Sequence, residues 1–387
     1  MPNRALSLAT VVVAASLALT ACAGSSTKSS AKAGAGSAPA AGADVATASS
    51  AAAAGGMEAL VAAAKKEGTL NVIALPRDWT NYGELLDGFV KKYGLKINNA
   101  NPGGSSADEL TAIKSLRSQS RAPDVVDVGQ SFALTGAKDG LYAPYQVSTW
   151  GHIPSTLKDP NGLWTNDYGG YISIGCDASK IKPCPTSMAA LNNPAYKGKL
   201  ALNGDPTKAN AAFSAVWTAA LAQGGSLDDI KPGIAYFAAL KKAGIYVPIQ
   251  ATAATIQSGE TPIVINWDYL NASAADALKA RGRTFEVAVP SDAKFSAYYA
   301  QAISKFAPHP AAARLWEEYL YSVEGQNGWL KGYGRPAELA ALTTAKTVNA
   351  VYAAKLPPVT GTPTFPTAGQ VTAAKGVVTQ DWANAVK

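Results

Sequence analysis

The stretch LNVIALPRDWTNYGELLDGF, residues 70–89, contains the pattern that predicts the fold. It begins as a strand with apolar residues on both faces, which is typical of a parallel sheet covered by helices. It continues as a helix whose apolar residues recur at helical spacing. Between the two lie Arg77, Asp78, Trp79, Thr80, Asn81 and Tyr82. Ligands bind beyond the carboxyl ends of parallel strands, so this polar and aromatic loop is predicted to contribute to a binding site.

Strand and helix patterns alternate on both sides of this stretch. Residues 57–67 predict a helix that ends at Gly68, and residues 95–102 predict a second strand. Residues 106–119 predict another helix, in which Ser106 and Glu109 match a capping box. The same alternation returns between residues 197 and 290, and helices close the chain. The pattern therefore predicts an α/β protein of two units, not one continuous sheet.

The N-terminus has the features of a secretory signal. Arg4 precedes an apolar run over residues 5–19, which is shorter than the roughly 20 residues of a membrane-spanning helix. The next residues, LTAC, resemble the bacterial lipobox, which implies that Cys22 carries lipid. The alternative is an ordinary cleaved signal that happens to contain a cysteine. Residues 1–22 are therefore predicted to be a lipoprotein signal. The Ala-, Gly- and Ser-rich residues 23–56 are predicted to be a flexible tether.

Charge and cysteine content narrow the classes of function. The formal net charge is +7, and the cations are scattered and form no basic stripe, so we expect no nucleic-acid partner. Cys176 and Cys184 would form either a disulfide or part of a metal site. The two histidines lie far away and lack ligand spacing, so a disulfide is favoured and neither a metal nor a cofactor is expected.

Further polar and aromatic residues follow other predicted strands. Ser105 and Ser106 stand at a helix start that could hold an anion, although Ser106 could equally act only as a cap. A third strand is predicted over residues 122–128, APDVVDV, and Phe132 follows it in the segment GQSF. In the second unit, the segment NGDPTK contributes Asp205 and Lys208, and NWDYLN contributes Trp267 and Asp268. Aromatic side chains at strand ends are usually buried by packing against a ligand or a facing lobe.

Motifs for catalysis are missing from the sequence. It contains no G-x-S-x-G elbow, no H-E-x-x-H and no phosphate-binding G-x-x-x-x-G-K-[ST]. We therefore expect a protein without enzymatic activity. The alternative from another class is a secreted carbohydrate-active enzyme, which would need two acids about 5–10 Å apart across a sugar-sized groove.

From residue 57 onward, the chain resembles the extracellular solute-binding proteins of ABC importers. The resemblance lies in KKEGTLNVIAL, DWTNYGELLDGF, DPNGLW ahead of YISIG, PTSMAALNNPAYKGKLAL and GYGRPAELAAL. The related group contains spermidine/putrescine-binding and ferric-iron-binding members. The resemblance implies the type II periplasmic-binding-protein fold, with two α/β lobes joined by two hinge strands, near residues 168–173 and 294–300. It assigns residues 57–170 and 299–341 to lobe 1, and residues 171–298 and 342–387 to lobe 2.

The same resemblance implies a function and a place in the cell. The protein would be a monomer, held by its lipid on the outer face of the cytoplasmic membrane, that delivers a small polar solute to permease subunits. A polyamine is the expected solute, because several positions match those of polyamine binders. The matching residues are Trp79, Thr80, Tyr82, Asp205, Trp267 and Tyr333.

Three positions depart from the polyamine pattern, since Asn81, Lys208 and Tyr299 stand where acids are expected. Arg77, Lys208, Arg335 and Ser105 would instead suit a phosphorylated or carboxylated solute. Ferric iron is a further alternative, although Trp267-Asp268-Tyr269 stands where iron-binding relatives have adjacent tyrosines. The sequence leaves the sign of the ligand's charge open.

Overall fold

A computed structural model describes residues 44–359 and 364–386. The predicted signal and Cys22 lie outside these residues. The strands are β1 (Thr69–Ile73), β2 (Lys96–Ala100), β3 (Val125–Gly129), β4 (Tyr142–Ala143), β5 (Thr165–Asp177), β6 (Leu200–Leu202), β7 (Tyr246–Gln250), β8 (Ile263–Trp267), β9 (Phe285–Ala288), β10 (Ser296–Ser304) and β11 (Arg335–Pro336). The helices are α1 (Met57–Glu67), α2 (Tyr82–Tyr93), α3 (Ser106–Leu116), α4 (Gln130–Lys138), α5 (Asn210–Ala222), α6 (Lys231–Lys242), α7 (Ala253–Ser258), α8 (Asp268–Lys279), α9 (Pro310–Leu320), α10 (Val323–Lys331), α11 (Leu339–Thr344), α12 (Ala350–Ala353) and α13 (Ala368–Ala385).

The long strand β5 connects two groups of strands. Its first half pairs with β10 and β11, and its second half, from Ile172 onward, pairs with β8 and β9. The first lobe contains β3, β4, β10 and β11 with the parallel pair β1–β2, and the second contains the parallel strands β6, β7 and β8 with β9. This is the predicted two-lobed α/β architecture. The other strands of the two lobes nevertheless form one hydrogen-bonded sheet, because β5 belongs to both lobes, whereas β1 and β2 form a separate pair.

Local sequence signals correctly predicted where the first two helices end. α1 and α2 end at Gly68 and Gly94, and both glycines adopt the left-handed conformation that closes a helix. The start of α3 differs from the prediction. Ser105, not Ser106, is the N-cap, and its capping box is completed by Asp108, not by Glu109. The Ser106 hydroxyl instead accepts the Gly129 N–H, and Glu109 is buried.

The predicted tether ends earlier than expected. Residues 44–56 pack on the first lobe, and Ala48, Ala51 and Ala54 are buried in its core. The carbonyl of Ala48 accepts a hydrogen bond of 2.7 Å from the buried guanidinium of Arg314. Small side chains suit this close packing, so a composition that looks like a linker here forms part of the fold.

The C-terminal helices also differ from the predicted division. Asn327 of α10 hydrogen-bonds residues 347 and 349, so α12 lies against the first lobe instead of the second. The chain reaches the second lobe only afterwards, where α13 packs on α6 and also contacts α4 of the first lobe. The chain was expected to pass back into the second lobe at residue 342, but it does so only after residue 353.

Two further features concern the environment of the protein. Cys176, in β5, and Cys184 are joined by a disulfide bond with a Cα–Cα distance of 5.8 Å, the pairing that the sequence favours. Over residues 44–359 and 364–386, no helix is both long and apolar enough to cross a membrane.

Candidate functional site

A cavity of about 600 Å³ lies between the lobes, and we call it the cleft cavity. The first lobe contributes β3 and the loops that follow β1 and β2, and the second contributes the segments after β6 and β7 and one face of α8. These loops follow the carboxyl ends of strands, which is where the sequence pattern placed a site. The lining residues used below are Asp78, Trp79, Ser105, Ser106, Asp108, Glu109, Asp127, Asp205, Lys208, Asn210 and Tyr299.

The loop after β1 divides its side chains between three environments. Asp78 and Trp79 line the cleft cavity. Arg77 points away and forms an exposed ion pair with Asp87 at 2.5 Å. Tyr82 is buried, and its hydroxyl donates to Asp127 at 2.7 Å. The cluster that looked like one binding loop therefore supplies one acid and one indole to the cavity.

Thr80 and Asn81 shape this loop and do not line the cavity. Both have positive φ angles, 43° and 65°. A non-glycine residue adopts this region only when its surroundings hold it there. The Asn81 side-chain amide donates to the carbonyl of Gly328 at 3.1 Å, which ties the loop to α10. Their role in the structure is to turn the chain so that Trp79 faces the cavity.

The indole of Trp79 has a fixed position. Its Nε1 donates to the Tyr168 hydroxyl at 2.7 Å. Its ring meets the edge of Tyr299, with ring centroids 5.7 Å apart and an interplanar angle of 77°. Trp267 is fully buried behind Tyr299, at 6.2 Å between centroids, and does not line the cavity. Of the aromatic residues predicted to contact a ligand, Trp79 and Tyr299 therefore remain available at the cavity.

The remaining predicted residues lie outside the cleft cavity. Asp268 is fully buried and pairs with Arg335 at 2.5 Å, and the guanidinium lies 4.7 Å from the Tyr171 ring. Tyr333 donates its hydroxyl to Asp276. Phe132 lies beneath the ammonium of Lys375, which is 4.4 Å from its ring. These contacts connect the lobes beside the cavity, so their predicted contact with ligand is not supported by their positions.

The second lobe presents a turn at the start of α5. The Asp205 carboxylate accepts the backbone N–H and the hydroxyl of Thr207, both at 2.8 Å, and this fixes the turn. Lys208 is exposed beside it. Asn210 is 4% exposed and lies on the cavity wall, where its side chain interacts with the hydroxyl of Tyr299.

Among the lining residues named above, sequence reasoning missed four, Asp108, Glu109, Asp127 and Asn210. Glu109 and Asp127 are 1% and 6% exposed, and Glu109 accepts the Asp127 N–H at 2.9 Å. Burial raises the pKa of Asp127 to about 7 and raises the pKa of Glu109 well above its usual range. The available signal was an acid inside the otherwise apolar strand VVDVG, since a buried carboxylate needs a partner.

The adjacent tyrosines 298 and 299 do not face the same space. Tyr299 lines the cleft cavity, whereas Tyr298 stacks on Phe365 at 6.4 Å between ring centroids. Among the described residues, no group of three or more His, Cys, Asp or Glu side chains could hold a metal ion. The two tyrosines therefore do not form a pair of oxygen ligands at the cavity.

The chain is similar to known proteins in sequence and in structure. The family model described as bacterial extracellular solute-binding protein matches residues 120–360. Among curated proteins, no sequence matches significantly. The periplasmic binding protein AfuA from Actinobacillus pleuropneumoniae, solved with fructose-6-phosphate, superposes with a TM-score of 0.65 at 18% identity. The match covers 82% of this chain and 98% of AfuA.

Two other solved structures show the same fold. One is described as a candidate spermidine/putrescine ABC transporter protein from Listeria monocytogenes, with a TM-score of 0.62 and 12% identity, covering 82% of this chain and 99% of that chain. The other is a ferric binding protein from Campylobacter jejuni, with a TM-score of 0.60 and 15% identity and the same two coverages. The expected type II periplasmic-binding-protein fold is therefore confirmed, while the ligands of these neighbours differ.

Proposed function

The chain belongs to the bacterial extracellular solute-binding proteins, and we propose that it captures a small organic cation of the polyamine type in the cleft cavity. Members of this family act outside the cytoplasm as the substrate-binding components of ABC transporters, which pass the solute to permease subunits. The single observation that carries the proposal is the excess of acidic over basic side chains in the lining, in which Glu109 and Asp127, whose pKa values are raised by burial, contribute less negative charge than the other acids. Among the described residues that line the cleft cavity, five are acids and the only cation is Lys208: the acids are Asp78, Asp108, Glu109, Asp127 and Asp205.

Burying a charged ligand requires opposite charges around it. The acids come from both lobes, so a cation between them would favour the closed form. Trp79 and Tyr299 add aromatic faces, and a cation over such a face gains about 0.5–2 kcal/mol. The walls therefore offer charge and aromatic surface together, which suits an alkyl ammonium group.

The anionic alternative has lost most of its support. Arg77 and Arg335 are paired with Asp87 and Asp268 away from the cleft cavity. The helix start at Ser105 is already occupied, because the Asp108 carboxylate accepts both the backbone N–H and the hydroxyl of Ser105. An anion there would have to displace a carboxylate of the protein itself. Lys208 alone is a weak basis for binding a phosphate.

We also propose that the protein is held at the membrane through Cys22. The support is the LTAC segment after an apolar run of signal-peptide type. Mass spectrometry of the mature protein should find an acylated N-terminal Cys22. An N-terminus without lipid would contradict the anchor and leave the proposed ligand class untouched.

A thermal-shift screen tests the proposed ligand class. We expect putrescine or spermidine to raise the melting temperature, since a ligand at about 100 times its Kd adds roughly 2.7 kcal/mol. Fructose-6-phosphate, inorganic phosphate and ferric ion should not. Stabilisation by a phosphate compound, with no effect of either amine, would overturn the proposal.

Two variants on the same turn provide a matched comparison for this screen. Asp205→Asn removes a negative charge from the lining, so the amine-induced shift should shrink. Lys208→Met removes the positive charge three residues later and should preserve or increase the shift. The reverse order would show that the lining binds an anion.

A further inference from the structure

Asp127 occupies an unusual position for an ionisable residue. It lies in the middle of β3, whose residues are all buried, and it lines the cleft cavity. In the register of the sheet it stands opposite Gln301 of β10. A carboxylate in a buried strand costs free energy unless something compensates for it.

One of the two oxygens of this carboxylate has hydrogen-bond donors within the protein. Its Oδ2 accepts hydrogen bonds from the hydroxyls of Tyr82 at 2.7 Å and Tyr168 at 3.0 Å. Tyr168 in turn accepts the indole N–H of Trp79, the ring that lines the cavity. The two tyrosines fix the orientation of the carboxylate.

The second oxygen has no such donor in the described part of the chain. Oδ1 of Asp127 is buried and has no hydrogen-bond partner among residues 44–359 and 364–386. A buried acceptor without a donor is rare in native proteins and marks a place where another group belongs. Because Asp127 lines the cleft cavity, the missing donor is expected to arrive with the ligand.

Resting on the proposed function, we infer that Asp127 is the residue that anchors an ammonium group of the ligand, and that binding there releases a proton. The ammonium N–H donates to Oδ1, while Tyr82 and Tyr168 keep Oδ2. The protonated carboxyl group loses its proton to solvent as the carboxylate pairs with the ammonium, so charge and atoms balance. Asp127 would thus distinguish cationic from neutral and anionic solutes.

The surroundings explain why a proton is present before binding. The ionisable groups that interact with Asp127 are tyrosines and acids: Tyr82 on α2, Glu109 on α3, Asp167 and Tyr168 on β5, Tyr269 on α8, Tyr299 on β10, Glu317 on α9 and Tyr321 directly after α9. Burial raises the pKa of Asp127 to about 7 and that of Glu317 to about 8. Burial also raises the pKa of Asp167 well above its usual range.

The direction of the pH dependence follows from this. Ligand binding needs the ionised carboxylate, and the raised pKa of Asp127 means that a fraction of the molecules carries the proton near neutral pH. Affinity for an amine should therefore fall as the pH is lowered through the neutral range, and binding at pH 7 should release a fraction of a proton.

Calorimetric titration with putrescine at pH 7, in two buffers of different ionisation enthalpy, measures both quantities. The wild type should bind and release a measurable fraction of a proton. Asp127→Asn should lose the release and about 100-fold or more in affinity, because it removes one partner of a desolvated charge pair. Asp205→Asn, on the other lobe, should weaken binding but keep the release.

Tyr82→Phe separates this role from a structural one. It removes a hydrogen bond that lowers the pKa of Asp127, so proton release at pH 7 should increase. Unchanged release in Tyr82→Phe would count against the inference, even if Asp127→Asn proved unstable.

Two other results would overturn the inference. One is wild-type affinity and release in a folded Asp127→Asn protein. The other is release that is lost in Glu109→Gln but kept in Asp127→Asn, which would assign the proton to Glu109. Failure of the wild type to bind putrescine, spermidine or any other amine would instead refute the proposed function itself.

Discussion

Gly129→Ala should lower the affinity for putrescine by at least about tenfold and leave the fold intact. A Cβ at this position would lie 2.3 Å from the Cβ and 2.2 Å from the Cγ of Asn210. Gly129 ends β3 in the first lobe, and Asn210 begins α5 in the second. A Cβ atom cannot move without its backbone, so the added methyl group would keep the lobes from closing. Affinity falls with the fraction of molecules that can close, and tenfold corresponds to about 1.4 kcal/mol.

Gly103→Ala is the matched control, since Gly103 lines the cleft cavity and, among the described residues other than its two chain neighbours, no heavy atom lies within 4 Å of its added Cβ. Calorimetry should find near wild-type affinity for this variant. Small-angle scattering with saturating putrescine should find a larger radius of gyration for Gly129→Ala than for Gly103→Ala. Equal affinities and equal radii would show that the lobes do not close through this contact.

A chain that begins at Met57 should be less stable than one that begins at residue 44, by about 4–5 kcal/mol in the free energy of unfolding. The shorter chain loses three buried alanines, Ala48, Ala51 and Ala54. It also leaves the Arg314 guanidinium, 1% exposed, without the Ala48 carbonyl. A hydrogen bond to a buried charge contributes about 1.5–3 kcal/mol, and buried methyl groups add roughly 0.8 kcal/mol each.

Urea denaturation of the two chains measures this difference. Arg314→Met gives an internal control, because the apolar side chain does not need the missing carbonyl. The substitution should destabilise the longer chain and be neutral or stabilising in the shorter one. Equal stability of the two chains would mean that residues 44–56 are the tether that their composition suggests.

The sequence predicted the helices and strands of the first lobe because short-range rules determine them. Apolar spacing defined α2, and Gly68 and Gly94 marked helix ends that the structure confirms. Residues 44–56 were misassigned for the same reason. Their small side chains give no periodic signal, and the contacts that hold the segment on the first lobe, with Gln146 and Arg314, come from residues far away in sequence.

The cleft itself was located by the rule on strand ends, but its lining was only partly predicted. Of the candidate site residues named from the sequence, those that line it are Asp78, Trp79, Ser105, Ser106, Asp205, Lys208 and Tyr299. Tertiary partners decided the rest: Asp87 holds Arg77 outside, and Asp268 holds Arg335 beside the hinge. Local sequence does not reveal such pairings between distant residues. These pairings also changed the conclusion about the ligand, since they hold two cations that would have favoured an anion outside the cleft cavity.

The most direct test of the account is calorimetric titration with three solutes that share a four-carbon chain: putrescine, 4-aminobutanoate and succinate. They have similar length and differ in net charge, so their order of affinity reports the sign of the charge that the cleft cavity accepts. The acidic lining predicts that putrescine binds most tightly, 4-aminobutanoate more weakly and succinate not at all. Succinate binding as tightly as putrescine, or more tightly, would contradict the central claim.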